Sequence, residues 1–152
     1  MKMSNKFRTF TSADLNLLEK WFEDEIVKDQ LEGKMPLERW YKAVSNNPNY
    51  HCWIAFEREV EQAVGMVCID EYEEGKGGIS VLTNPVLRRQ GYGSKMVTSI
   101  LQDMKLPQVK TIVAYISPDN TASLRCFEKA QFKRQADEDD MYVLTFNIDE
   151  VV

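Results

Sequence analysis

The chain lacks most features that would place it outside the ordinary folded proteins. No apolar run approaches the roughly 20 residues of a membrane span, so no membrane partner is expected. The first residues, Met1 to Phe7, lack the apolar stretch of a signal peptide. The three cysteines (Cys52, Cys68, Cys126) form no CxxC or CxxH pair, which argues against a metal centre. All three lie in apolar stretches and read as buried free thiols of a reducing, cytoplasmic protein. An excess of positive charge is also missing. Lys+Arg 19 against Asp+Glu 24 leaves a net charge of −5, which argues against a general nucleic-acid binder and leaves room for a cationic substrate. There is no internal repeat, low-complexity tract or Pro/Gly/Ser linker. The expected organisation is one domain over 1–152, long enough to bury a core without staples.

What is present is 43% hydrophobic and 28% charged, in a pattern that alternates strands and helices. Phe7 to Phe10 reads as a short strand. Thr11 and Asp14 have the spacing of a capping box, and Leu15, Leu18, Phe22 and Ile26 follow at helical spacing. After Gly33, Pro36 suits the first turn of a second helix carrying Leu37, Trp40, Tyr41 and Val44. Cys52 to Phe56 and Ala63 to Ile69 read as an antiparallel hairpin of central strands. Asp70 to Gly78 reads as an acidic loop and Ile79 to Thr83 as a strand. A helix is expected from Gly91 to Met104, a buried strand from Val109 to Ile116 and a helix from Asn120 to Ala130. Phe132–Arg134 and Tyr142–Phe146 close the sheet. The order β-α-α-β-β-β-α-β-α-β-β predicts an α/β fold, a mixed sheet with helices on both faces. Trp21, Trp40 and Trp53 sit at core positions of these elements.

The segment Leu82 to Ser94 ends a strand, passes through a short basic loop and opens a helix. Gly91 and Gly93 permit close backbone approach and positive φ. The first-turn amides have no internal partners and sit at the positive end of the helix dipole. Such a terminus receives a diphosphate, with Arg88 and Arg89 adding charge. Taken alone, the spacing serves equally well as a tight strand-to-helix turn with two surface arginines. The dinucleotide pattern GxGxxG is absent because Met96 stands at the third position. The nucleotide-binding pattern GxxxxGK[ST] is absent too.

A second segment, Ser117 to Phe132, follows the next strand. Together the two resemble the GCN5-related N-acetyltransferase (GNAT) superfamily. Its phosphate loop [QR]xxGx[GA] is met by Arg88, Gly91 and Gly93, and its downstream signature by Asn120, Ser123, Glu128, Lys129 and Phe132. The resemblance covers nearly the whole chain. It departs at Phe127, where many relatives carry tyrosine, and at Gln131, where glycine is usual.

The resemblance implies acetyl-CoA as co-substrate, held where the strands Ile79–Thr83 and Val109–Ile116 splay apart. Backbone groups of Val81, Leu82 and Thr83 would pair with the pantetheine arm. Arg88, Arg89, Gln90, Gly91, Tyr92, Gly93 and Ser94 would surround the diphosphate. Asn120 would reach the pantetheine while serving as a helix cap, and Phe127 would lie near the thioester sulfur. Direct transfer to an amine needs a base for the ammonium and an acid for the departing thiolate. Phe127 has no proton to give, so Tyr115, Tyr92, Cys126 or a water would replace the family's tyrosine. Asp70 and Glu71 are the nearest candidate bases, ahead of Glu73 and Glu74, and His51 reads as structural. Acidic segments at Glu23–Glu25, Asp70–Glu74 and Asp137–Asp140 would suit a polyamine or aminoglycoside, although carboxylate runs are more often solvated surface. Two other readings stay open: an acetyltransferase acting on peptide amines, and an acyl-CoA-binding module without catalysis. Homodimers are common in the family, but no segment here marks an interface.

Overall fold

The computed structural model describes residues 6–31, 34–58 and 60–148. In chain order these form β1 (Lys6–Thr9), α1 (Leu15–Trp21), α2 (Glu25–Leu31), α3 (Leu37–Ser45), β2 (Tyr50–Phe56), β3 (Gly65–Glu73) and β4 (Lys76–Thr83). There follow α4 (Tyr92–Asp103), β5 (Thr111–Ile116), α5 (Thr121–Lys129), β6 (Lys133–Arg134) and β7 (Tyr142–Asn147). The strands make one seven-stranded sheet in the order β1-β2-β3-β4-β5-β7-β6. Only β4 and β5 run parallel, and the other neighbouring pairs are antiparallel.

Side chains alternate across each strand, so the sheet has two cores. On one face Ala55, Val67, Ile69, Ile112 and Ala114 pack with Met96, Val97 and Ile100 of α4 and Phe127 of α5. On the other, Ile54, Met66, Cys68 and Leu82 pack with Leu18 and Trp21 of α1, Val27 of α2 and Leu37 of α3. Each large side chain buried this way stabilises by about 1.5–3 kcal/mol. Trp21 is buried; Trp40 and Trp53 are half-buried and packed on these clusters.

Two local expectations are corrected. The helix expected to carry Leu15 through Ile26 is two helices. Asp24 breaks it by accepting the N–H groups of Ile26 (3.0 Å) and Val27 (3.2 Å) on Oδ1, as a helix cap does. The break shifts the helical phase, so Val27 is buried and Ile26 is 55% exposed. The acidic loop expected over Asp70–Gly78 is instead strand. β3 runs to Glu73, with a register shift after Asp70, and Glu73 pairs with Lys76 around a tight turn whose Gly75 has φ 76°. The capping box at Thr11 is present, and Arg8 makes a two-pronged ion pair with its buried Asp14 at 2.8 and 2.9 Å.

Candidate active site

The site begins where β4 and β5 part. They pair only at Lys76–Thr111, Gly77–Ile112 and Gly78–Val113. Beyond Gly78, β4 keeps its other neighbour, β3, through Thr83. Asn84, 3% exposed, ends the strand. Its backbone N–H donates to Val64 C=O (2.9 Å), its Nδ2 donates to Ala63 C=O (2.9 Å) and its Oδ1 accepts Val86 N–H (3.2 Å). Antiparallel pairing alternates, so Leu82, two residues earlier, also turns its backbone to β3, where it faces Met66. Val81 and Thr83 therefore direct their N–H and C=O groups into the splay. Leu82 is a correction to the expected set: its backbone serves β3 and its side chain is buried under α1–α3.

The loop that follows is shaped by two left-handed residues. Arg89 has φ 63° and Gly91 has φ 81°. Successive amides in this geometry form a concave anion-binding surface. Gly91 caps α4 without a side chain, and a Cβ built there would meet no atom within 4 Å, so the space before the helix is open. Lys95 N–H closes the first turn on Gly91 C=O at 3.3 Å, and the Ser94 hydroxyl donates to the same oxygen. The N–H groups of Tyr92, Gly93 and Ser94 precede that first intrahelical bond. With the dipole of this twelve-residue helix, they fit a diphosphate. Arg89 is exposed and has no acidic partner among the described residues. Arg88 does not fit its expected role. Its guanidinium grips Asp24, Nη2 to Oδ1 at 2.6 Å and Nη1 to Oδ2 at 2.9 Å. That pairing holds the Asp24 carboxyl down at about 2, with the backbone caps helping.

The opposite wall is the start of α5. Asn120 caps it, Oδ1 accepting Ser123 N–H at 3.1 Å, a bond that does not engage the amide NH2 group. A Cβ at Gly93 would stand 3.2 Å from Cys126 Sγ, so glycine lets α4 lie against α5. Burial pushes the Cys126 thiol up to about 12, so it stays a protonated thiol at neutral pH. Phe127 is a further correction. It is 3% exposed and packs edge-on against Phe132 (centroids 5.0 Å apart), a core ring.

The candidate bases separate onto opposite faces. Glu71 lies on the α4–α5 side of the sheet and is paired with His51, which stacks on Trp53. That pairing occupies the Glu71 carboxylate on the face away from Asp70. Asp70, half-buried, lies on the other face, opposite Tyr50 on β2 and Gly78 on β4. Ser80 shares that face because it pairs with Cys68, and it is exposed. Tyr115 is 46% exposed there, its hydroxyl 3.5 Å from that of Tyr72. The Tyr72 ring lies over Gly78, and burial together with the Tyr115 hydroxyl raises its pKa, so it is a protonated phenol at neutral pH. Both rings border a shallow groove of about 350 Å³ that includes Lys76, Val113 and Glu138. Tyr72 is absent from the sequence-derived set. Extending the strand alternation past Ile69 would have found it, but the acidic residues read as a loop.

A splayed parallel pair, an anion-binding helix start after one strand and a capped helix after the next define an acyl-CoA-dependent acyltransferase. Residues 15–132 match the Acetyltransferase (GNAT) family, and the chain belongs to it. It is an N-acetyltransferase that uses acetyl-CoA as co-substrate. The chain is 31% identical over 140 residues to the uncharacterized N-acetyltransferase YfmK of Bacillus subtilis strain 168, covering 92% of this chain and 93% of that one. Among solved structures it is similar to AAC(6')-Ib in complex with paromomycin and acetyl-CoA (TM-score 0.79, 23% identity, 97% of each chain). It is also similar to spermidine N-acetyltransferase from Vibrio cholerae in complex with CoA and spermine (TM-score 0.78, 11% identity, 96% of each chain). No helix among the described residues is long and apolar enough to cross a membrane.

Proposed function

We propose that the chain is one catalytic domain, working in a reducing cytoplasm, that acetylates a primary amine on a small cationic molecule. The amine is held on the face carrying Asp70, Tyr72, Ser80 and Tyr115. The observation that carries this reading is the position of that face. It flanks the β4–β5 splay on the side away from α4 and α5, so an acyl group entering between the strands meets the acceptor there. Acetyl-CoA supplies an activated thioester carbonyl. Val81 and Thr83 offer backbone partners to its arm, the amides of Tyr92, Gly93 and Ser94 hold its diphosphate, and Asn120 approaches from α5. One outward N–H of β4 polarises the carbonyl as an oxyanion donor.

In the reaction the amine nitrogen attacks the carbonyl carbon, the carbon–sulfur bond breaks and the electron pair leaves on sulfur. Asp70, directly or through a water, takes the proton that the ammonium must lose. Tyr115 or Tyr72 returns a proton to the thiolate. With a thiol pKa of about 8.5, that leaving group needs little help, which makes the absence of a hydroxyl at Phe127 tolerable. Asp70 and Glu138 place negative charge around this face and support a cationic acceptor, while Glu73 is paired with Lys76. The relatives crystallised with paromomycin and spermine point the same way. Asp24 does not contribute, because Arg88 neutralises it.

The test is acetyl-CoA-dependent thiol release across polyamines, aminoglycosides, amino acids and short peptides. Saturable release with a polyamine or aminoglycoside supports the proposal. Release only with peptides moves the acceptor to a peptide amine.

A further inference from the structure

The Arg88–Asp24 pair joins two parts of the molecule that are far apart in sequence. Arg88 opens the diphosphate loop, and Asp24 ends the turn between α1 and α2. Both carboxylate oxygens are committed. Oδ1 takes Arg88 Nη2 and the N–H groups of Ile26 and Val27, while Oδ2 takes Arg88 Nη1. One side chain thus caps α2 and fixes the loop. α2 has seven residues, well under the roughly 12–15 that an isolated helix needs to persist in water. Of Glu25 to Asp29, only Val27 is buried. Over Glu25–Asp29 the helix is therefore anchored by Val27 and by the Asp24 group at its start. The other end of the tether is a loop in which Arg89 and Gly91 are left-handed, with open space beside Gly91.

We infer that Asp24 and Arg88 are positioning residues that transmit occupancy of the diphosphate loop to α2. This rests on the assignment of the loop as the acetyl-CoA diphosphate site. An anion seated on the amides of Tyr92, Gly93 and Ser94 orders the loop. Ordering the loop restrains Arg88, and a restrained Arg88 holds Asp24 and with it the first turn of α2. Arg88 acts here without touching the phosphates. Coupling between two sites is reciprocal, so a substrate that packs against α2 would in turn favour the bound loop.

The test uses CoA alone as the probe and backbone hydrogen exchange as the readout, on the full chain. In the wild type, saturating CoA is expected to slow exchange at the start of α4, and to slow it in residues 25–31 by about tenfold, within the usual range of coupling between sites. Asp24→Asn keeps a capping oxygen but loses the ion pair. Arg88→Ala keeps the cap untouched, so one variant serves if the other frays. In both, CoA is expected still to protect α4, while its effect on residues 25–31 falls below twofold. A purely structural pair would speed exchange of α2 equally with and without CoA and leave the CoA-induced difference intact; that result overturns the inference. So does a wild-type α2 that ignores CoA while α4 responds. An α4 that ignores saturating CoA removes the diphosphate assignment, and the inference with it.

Discussion

Gly91 and Gly75 form a matched pair that isolates what the diphosphate loop does. Both are left-handed, with φ of 81° and 76°. Neither would crowd its surroundings if it gained a methyl group: Gly91 has no atom within 4 Å of the added carbon, and Gly75 has only the Gln108 carbonyl, at 4.0 Å. An L-residue in this conformation costs about 1–2 kcal/mol. Alanine also restricts the unfolded chain by about 0.4–1 kcal/mol, which offsets part of that. Each Gly→Ala variant should therefore lose roughly 1 kcal/mol, a fall in Tm of about 2–4 °C at this chain length. Acetyl-CoA affinity should separate them. Gly75 lies in the β3–β4 turn. Gly91 faces the space where the diphosphate meets the α4 amides, and a methyl there displaces at least one charge-assisted hydrogen bond. Such a bond contributes about 1.5–3 kcal/mol, a loss of roughly 10- to 100-fold in Kd. Calorimetric titration with acetyl-CoA, alongside thermal melts, measures both quantities. Equal affinity in the two variants, at equal Tm, would refute the placement of the diphosphate on this loop.

Asp70→Asn should lower kcat/KM by roughly 100- to 10,000-fold with acetyl-CoA affinity unchanged, and should remove the acid limb of the pH profile; a pH profile like the wild type's would exclude Asp70 as the base. Gln131 stands in the left-handed region (φ 75°) just past α5, a conformation that favours glycine. Gln131→Gly should raise Tm by about 2–4 °C, on a net relief of roughly 1 kcal/mol, and a lower Tm would contradict it. The Asp24 carboxyl is held at about 2 against an ordinary 3.8. Because its pKa is lowered on folding, the stabilisation is present above about pH 4 and is lost as pH falls through 2. In urea unfolding, the stability difference between wild type and Asp24→Asn should narrow over that interval, and a constant difference would sink the assignment.

Most of the fold was legible because it depends on local pattern. The apolar runs of β2, β3 and β5 and the helical spacing in α4 repeat with the periods that burial on a sheet imposes. The misreadings have local causes as well. Ile26 continues an apolar spacing that the Asp24 cap interrupts. The acidic residues of Asp70–Glu74 look like a loop because strand propensity disfavours them, yet pairing with β4 and the turn at Gly75 overrides that.

The sequence by itself determined the family and the co-substrate. Those rest on glycines and helix-start amides within a few residues of one another, and backbone geometry over so short a span follows from residue type. Only the tertiary structure decided which side chains are available for chemistry. Arg88 is taken by Asp24, 64 residues away in sequence. Glu71 is taken by His51, and Phe127 by Phe132 within the core. Asp70 and Glu71 are adjacent in the chain yet point to opposite faces of the sheet, and Tyr72 meets Tyr115 from two strands away. Partners of this kind are set by strand register and by the packing of helices on each face, and those of Glu71 and Arg88 lie 20 and 64 residues away in sequence.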